Sequence, residues 1–306
     1  MRLRRPKTPT TEAALPPEPP SPPGPGVAAR VAPAAPEPRI PEGDPAIVSQ
    51  VLGVPWFHSI DVGGGVVTPG HKRPETLQEE FRLLGLPDLD GLSVLDIGAW
   101  DGFFSFTCEE RGAARVVALD HFAWSLDFPA LAAYTAECAA QGVPPQPHET
   151  VPSVWRPDTL PGRASFEMAH RLRNSKVEVV VGDFMTMALA SLGQFDVVLF
   201  LGVLYHLREP FEALRRLARV AKGMAVVETA CAVVPGMGHH ALCEFFESDE
   251  LNHDPTNWWA PNRRGLMAMA RAAGFTRVEC PVAPPEDADP GEYEWHYGRA
   301  VLQAWR

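Results

Sequence analysis

Three acidic residues accompany short apolar runs in the sequence, a spacing that suits the binding of a nucleoside. Asp96 lies within the first run, Asp120 ends the second, and Asp183 follows the third. Because the carboxyl ends of parallel strands meet at one edge of a sheet, we expect the three side chains to lie close together. A carboxylate is a natural partner for two ribose hydroxyls, which favours Asp120 in that role. Asp183 beside the aromatic Phe184 suits an adenine, which needs an acceptor for its amine and packing for its face.

The stretch from 94 to 106 combines the first acid with two glycines ahead of a new apolar pattern. Gly98 and Gly102 permit positive φ and close backbone approach, and Phe103 opens a helical pattern. The spacing fits neither the dinucleotide fingerprint G-x-G-x-x-G nor a phosphate-binding P-loop. The sequence therefore predicts a strand, a tight turn and a helix start that together form a ligand site. The ligand is expected to differ from those that the two motifs bind.

Strands and helices alternate along the rest of the chain, which predicts a doubly wound, mostly parallel α/β sheet. Apolar runs at 94–97, 115–120, 177–181, 195–200, 224–229, 275–280 and 300–305 predict the strands. Helical spacing is present at 46–54, 77–84, from 103, at 134–138, at 211–221 and at 266–273. Apolar and polar residues alternate around the glycines at 63–65, which predicts a hairpin or an extended cover outside the sheet.

The chain divides into three parts by composition. Residues 1–45 hold 14 of the 33 prolines and almost no large apolar residues, which predicts a disordered tail. Residues 46–90 form the predicted N-terminal cover, and residues 91–306 form the main domain. An insertion at about 121–176 is longer than an ordinary loop, and such segments beside a binding edge often form lids.

Charge and cysteine content restrict the function classes. Beyond residue 39 there are 21 basic and 35 acidic residues, a net charge of −14, which disfavours a nucleic-acid partner. No apolar run approaches the length of a membrane span, and no secretory signal is expected. The five cysteines are scattered and form no C-x-x-C pair, so we expect a cytoplasmic protein without a structural zinc site. His239, His240, His253 and Asp254 match no standard metal-ligand spacing.

Four motifs together resemble the tRNA wobble-uridine methyltransferase-like branch of the class I S-adenosylmethionine (SAM) methyltransferases. They are the runs at 55–59 (PWFHS), 94–106, 201–206 (LGVLYH) and 258–262 (WWAPN). The resemblance covers about residues 45 to 306. Trp100 stands where the middle of three alternating glycines is usual in that family. The resemblance implies a seven-stranded sheet whose last strand is antiparallel, with SAM as the methyl donor.

The resemblance also implies the roles of individual residues. The expected cofactor-binding residues are Asp96, Gly98, Trp100, Gly102, Asp120, His121, Asp183, Phe184, Leu201 and Tyr205. The expected substrate-side residues are Arg299, Trp258 and Asn262. The local candidates for a base that accepts a proton from an oxygen acceptor are His206, Tyr205 and His58.

One departure from the branch bears on the donor. In its carboxymethyl-transferring enzyme, carboxy-SAM is held by a lysine after Pro-Trp, by further downstream lysine and tryptophan residues, and by the tyrosine and arginine that correspond here to Tyr205 and Arg299. The first lysine is replaced here by His58, and only Lys72 lies near the next, poorly aligned positions. Because a neutral imidazole cannot clamp a carboxylate as an ammonium does, ordinary SAM is the expected donor and carboxy-SAM is less favoured.

The sequence thus favours O-methylation of a hydroxyl on a small molecule, such as a sugar or a secondary metabolite. Wobble-uridine methylation of tRNA is the alternative, which the acidic domain disfavours. A SAM-binding scaffold without catalysis is a third hypothesis from another class. No sequence feature indicates an oligomeric state.

Overall fold

Seven strands form one sheet in the computed structural model, which describes residues 40–284 and 296–306. The sheet strands are β1 Ser93–Ile97, β2 Arg115–Asp120, β3 Glu178–Val181, β4 Phe195–Leu201, β5 Ala221–Val233, β8 Arg277–Val282 and β9 His296–Trp305. Their order is β3-β2-β1-β4-β5-β9-β8, and β9 is antiparallel to both of its neighbours. The mostly parallel seven-stranded sheet and its antiparallel last strand are confirmed. Almost all of the predicted tail lies outside the described residues.

Eight α-helices accompany the sheet within the described part of the chain. They are α1 Pro45–Val51, α2 Pro74–Leu83, α3 Phe103–Glu110, α4 Phe122–Ser125, α5 Phe128–Gln141, α6 Ala164–Leu172, α7 Pro210–Val220 and α8 Arg263–Ala273. None of these helices has both the length and the apolar character needed to cross a membrane.

The sheet separates two apolar clusters because successive side chains of a strand point to opposite faces. On β1, Leu95 and Ile97 pack with residues of α7 and α8, whereas Val94 packs with residues of the N-terminal cover, α3 and α6. Both faces of the sheet are therefore covered, as a parallel sheet requires.

The N-terminal cover combines α1 and α2 with an extended segment between them. Its glycine turn is closed by pairing of Asp61 with Val67, and His58 pairs with Lys72. The Trp56 indole donates to the carbonyl of Val51 at 2.7 Å, which ties the segment to α1. This arrangement matches the predicted hairpin-like cover.

Three elements differ from the sequence-based expectation. The insertion contains α4, α5 and α6, although helical spacing was evident only near residues 134–138. A separate two-stranded sheet, β6 Cys243–Phe245 with β7 Trp259–Pro261, was not expected, since three-residue strands leave no usable period. The α7 helix ends at Val220, so Ala221 belongs to β5, and Phe211 is 42% exposed rather than part of the apolar face.

Gly98 and Gly193 provide a matched test of the turn after β1. Both have positive φ, +82° and +80°, but a Cβ at Gly98 would lie 2.5 Å from Cγ2 of Val203, whereas nothing lies within 4 Å at Gly193. We expect Gly193→Ala to lower the free energy of unfolding by ~1 to 2 kcal/mol, from backbone strain alone. Gly98→Ala should cost a further ~1 to 3 kcal/mol because the stiff Val203 side chain must move. Urea unfolding of the two variants measures the difference, and equal losses would contradict the close approach.

Candidate functional site

The turn after β1 is fixed by the carboxylate at the end of β2. Oδ2 of Asp120 accepts the backbone N–H of Trp100 at 2.8 Å, and Oδ1 accepts that of Ala123 at 3.0 Å. Trp100 has φ +50°, which is an unfavourable conformation for a residue other than glycine. The hydrogen bond from its N–H to the Asp120 carboxylate helps to offset this backbone strain. Asp120 is only 4% exposed, so its first partners are the turn and the start of α4 rather than solvent. The ribose contact stays a prediction, and it needs the remaining lone pairs of this carboxylate.

The Trp100 side chain links three parts of the chain. Its ring is nearly parallel to those of Phe57, with centroids 4.0 Å apart, and Phe128, with centroids 5.5 Å apart. Its carbonyl accepts the Trp124 indole N–H at 2.6 Å. Phe57 belongs to the cover and Phe128 to the insertion, so Trp100 holds both against the glycine turn. We did not foresee these contacts, since a stack between distant segments has no local sequence signature.

Asp101 is a buried acid of the same turn that the sequence analysis missed. It is fully buried, and Oδ2 accepts the backbone N–H groups of Phe57 at 3.0 Å and His58 at 2.8 Å. Its Oδ1 pairs with Nδ1 of His58, whose ring packs against Phe103. The candidate base His58 is therefore buried and joined to a carboxylate in this structure, where it fastens the cover to the turn. An acid within a glycine turn was the available signal, but its partner lies 43 residues away.

Asp96 and Asp120 form a buried pair of acids at the sheet edge. Ser105 donates its hydroxyl to Asp96 at 2.6 Å. Burial raises the pKa of each carboxyl to about 6, against the opposing effect of Ser105 on Asp96 and of backbone N–H groups on Asp120. Within the described residues, neither acid forms an ion pair with Lys, Arg or His. The edge thus carries negative charge at neutral pH that no basic side chain there pairs with directly.

The ends of β3 and β4 differ in how they border this edge. Asp183 is half-exposed and closes its own turn by accepting the N–H of Met185 at 2.8 Å. Phe184 is buried in the core against Phe200, with the Arg216 guanidinium over its ring, and its packing on an adenine stays a prediction. Leu201 and Gly202 are half-exposed at the end of β4. His121 precedes α4 and packs edge-on against Trp155 of the insertion.

Tyr205 and Arg299, two residues that the resemblance assigns to the site, lie next to each other. The guanidinium of Arg299 lies 4.7 Å from the centre of the Tyr205 ring, and Glu228 pairs with the same guanidinium through both carboxylate oxygens. The Arg299 side chain remains 43% exposed. Burial raises the pKa of the Tyr205 phenol, against the opposing charge of Arg299, so the hydroxyl keeps its proton at neutral pH.

His206 lies half-buried in a one-turn helix after β4. Its ring packs against Phe122, and Nδ1 lies 2.9 Å from Oγ1 and 3.2 Å from the carbonyl oxygen of Thr256. Burial lowers the pKa of His206, and the charge of Asp254 partly opposes this effect. The imidazole is therefore neutral at pH 7 and able to accept a proton.

The two remaining substrate-side candidates have structural partners. The centre of the Trp258 ring lies 4.7 Å from Cζ of the Arg208 guanidinium. The backbone N–H of Trp258 donates to the Tyr205 carbonyl at 2.8 Å. Asn262 caps α8 by accepting the N–H of Gly265 at 2.8 Å, and its amide donates to the carbonyl of His240 at 2.8 Å. The buried Asn262 side chain is thus committed to the fold, whereas the half-buried Trp258 borders the site through Tyr205.

The strand order, the glycine turn after β1 and the acids at or near the strand ends are those of a class I methyltransferase fold. A family model described as a methyltransferase domain matches residues 70–279, more than half of the chain. The chain belongs to that methyltransferase family.

Curated relatives and solved structures agree with this class. The chain is 28% identical over 196 residues to the tRNA U34 carboxymethyltransferase of Pseudomonas savastanoi pv. phaseolicola (strain 1448A / Race 6). It is 30% identical over 196 residues to the protein of the same name from Ectopseudomonas mendocina (strain ymp). Each match covers 63% of this chain and 48% of the relative, so the chain spans about half the length of the curated relatives it matches.

Among solved structures, the N-terminal domain of EvdMO1, crystallised in the presence of SAH and D-fucose, shares the fold. The TM-score is 0.52 at 19% sequence identity, and the match covers 85% of this chain and 95% of that domain.

The raised pKa of Asp96 predicts a specific pH dependence of stability. Because the folded state keeps a proton that the unfolded state loses, Asp96 contributes progressively less to stability as the pH rises from about 4 to about 6. Asp96→Asn removes this titration and keeps an acceptor for Ser105. We expect the free energy of unfolding of the wild type, relative to this variant, to fall by ~2 to 3 kcal/mol between pH 4 and pH 7. Urea unfolding at several pH values measures it.

Asp158→Asn, an exchange of the same type at an exposed position, supplies the control. Parallel profiles for wild type and Asp96→Asn would contradict the burial argument.

Proposed function

We propose that this enzyme transfers a methyl group from SAM to a hydroxyl of a small molecule. The observation that carries the proposal is the neutral, half-buried imidazole of His206 at the end of β4, next to an edge with two buried acids. The imidazole supplies a proton acceptor, and the edge supplies a complementary environment for a positively charged donor.

The residues at the edge fit SAM by charge and by shape. Asp96 and Asp120 carry negative charge without a basic partner, which complements the sulfonium and amino groups of SAM. Gly98 and Gly202 have φ +82° and +73° and leave the ends of β1 and β4 free of side chains. We propose that these residues hold SAM together with His121, Asp183, Leu201 and Tyr205. When bound there, SAM supplies an electrophilic methyl group.

Ordinary SAM fits these residues better than carboxy-SAM does. An additional carboxylate on the donor needs a free cationic group. The three side chains that the resemblance associates with that group are each paired with an acid. His58 pairs with Asp101, Lys72 with Glu80 at 2.8 Å, and Arg299 with Glu228. A carboxylate would have to displace one of these pairs.

His206 is the proposed base for the acceptor hydroxyl. Methyl transfer to oxygen releases a proton, and a positioned base contributes ~10²- to 10⁴-fold to such a step. His58 is buried against Asp101, and Tyr205 retains its proton, which leaves His206 as the group able to accept one. Tyr205, beside Arg299, remains able to donate a hydrogen bond at the acceptor side.

The acceptor class is argued from charge and enclosure. Beyond residue 39 the chain has a net charge of −14, unlike the basic surface that supplies most of the affinity for a nucleic acid. The insertion also packs over the His206 side of the edge, where Phe122 contacts His148 and Trp155. A small acceptor enters such a site more readily than a folded RNA. The names of the curated relatives favour tRNA as the second candidate acceptor.

Labelled-methyl transfer tests the proposal. Purified enzyme incubated with methyl-labelled SAM and cell extract should label a low-molecular-mass product that survives ribonuclease and protease treatment. His206→Gln should lower the transfer rate ~10²- to 10⁴-fold while SAM affinity is unchanged. His253→Gln is the matched control, because that imidazole is 75% exposed and should leave the rate at the wild-type level.

Two results would contradict the proposal. Label found only in ribonuclease-sensitive material would select the tRNA acceptor instead. Full activity of His206→Gln would remove His206 as the base.

A further inference from the structure

Three groups form a continuous hydrogen-bonded chain that ends at His206. Oδ1 of Asp254 accepts both the hydroxyl of Thr256, at 2.6 Å, and the backbone N–H of Thr256, at 2.8 Å. The same hydroxyl oxygen lies 2.9 Å from Nδ1 of His206. The three groups are not adjacent in sequence, since 50 residues separate His206 from Thr256.

This arrangement determines which ring nitrogen carries the proton. A threonine hydroxyl has one hydrogen, and the short contact with the Asp254 carboxylate, which has no hydrogen to donate, uses it. Oγ1 of Thr256 can then only accept from Nδ1 of His206. The carbonyl oxygen of Thr256, the second atom near Nδ1 at 3.2 Å, is also only an acceptor. Both neighbours therefore require a proton on Nδ1, which leaves Nε2 of the neutral ring unprotonated.

We propose that Asp254 and Thr256 are positioning residues that hold His206 with its proton on Nδ1, so that Nε2 receives the proton of the acceptor hydroxyl. The inference rests on the proposed function for its chemical role. In the transfer step the acceptor O–H bond breaks and its proton moves to Nε2. The oxygen electron pair forms the new bond to the methyl carbon, and the electrons of the broken carbon–sulfur bond remain on sulfur. The Nδ1 proton stays in place throughout.

The segment that carries the two positioning residues is itself fixed. The side-chain amide of the buried Asn257 donates to the carbonyl of Leu251 at 2.6 Å, and the backbone N–H of Trp258 donates to the carbonyl of Tyr205. The segment is thus attached to the His206 turn through both Thr256 and Trp258. These contacts hold the hydrogen-bonded chain in place beside His206, which suits an oriented base.

Charged and titratable groups face His206 from every element packed against it. Asp254 favours the protonated imidazole, while Arg299 of β9 and His148 of the insertion oppose it. Tyr205, on the same turn, keeps its proton. His148 is only 7% exposed, and its Nδ1 has no hydrogen-bond partner among the described residues. The imidazolium formed after proton uptake is therefore stabilised mainly by the carboxylate at the far end of the hydrogen-bonded chain.

Nuclear magnetic resonance of the full chain with ¹⁵N-labelled histidine tests this inference without knowledge of the acceptor. Comparison of the wild-type spectrum with that of His206→Gln identifies the ring-nitrogen signals of His206. At pH 7.5 the wild type should show His206 as the Nδ1–H tautomer. Thr256→Val and Asp254→Asn should each lower the Nδ1–H fraction and the pH at which His206 is half-protonated. Thr256→Ser should restore both readouts, which a merely structural loss of packing would not do.

Thr186→Val is the matched control, because Thr186 also donates its hydroxyl to an aspartate, Asp183, at 3.0 Å, but far along the sheet edge. It should leave the His206 signals unchanged. An Nε2–H tautomer of His206 in the wild type would overturn the inference. Asp254 and Thr256 variants whose His206 signals are the same as those of the wild type would also overturn it. SAM calorimetry on the same samples separates the two proposals. Loss of SAM binding in the wild type would overturn the proposed function, whereas SAM binding with the wrong tautomer would overturn the positioning role alone.

Discussion

The Asp120 carboxylate at the end of β2 is the constraint on which the site depends. It accepts N–H groups from the turn after β1 and from the start of α4, and so fixes two segments that the sheet alone does not hold. Trp100 can therefore adopt positive φ in a position where glycine is the usual residue of this family. The burial that strengthens these bonds also raises the pKa of the acid to about 6. The same carboxylate thus fixes the turn and supplies negative charge at the edge, and its burial opposes that charge.

The cover and the insertion depend on the same turn. The Trp100 ring packs against Phe57 of the cover and Phe128 of the insertion, and Asp101 accepts the backbone N–H groups of Phe57 and His58. The residues around the glycine turn therefore organise the enclosure of the site as well as its floor. The acceptor side is organised separately, through the contacts of Thr256 and Trp258 with the turn that carries His206.

Sequence patterns predicted the sheet and the edge because both depend on local periodicity and strand ends. The second strand was predicted with its exact bounds, and the three acids do accompany adjacent strands. Asp96 lies within β1, Asp120 ends β2 and Asp183 follows β3. The roles of Asp101 and Thr256 could not be predicted, since each depends on a partner more than 40 residues away. Phe184 shows the same limit: an aromatic residue beside an acid suits a ligand in sequence, and its packing against Arg216 and Phe200 has no local sequence signal. The local sequence pattern predicts where a residue lies along a strand, but it does not predict which distant residues that residue contacts in the folded protein.

The central claim is that the edge formed by the ends of β1, β2, β3 and β4 is a SAM site. Isothermal titration calorimetry of the full chain with SAM tests it most directly. We expect saturable binding of SAM at one site per chain, with competition by the demethylated product S-adenosylhomocysteine at the same site. A folded protein that shows no binding heat with SAM at concentrations up to about 1 mM, at two temperatures, would contradict the account.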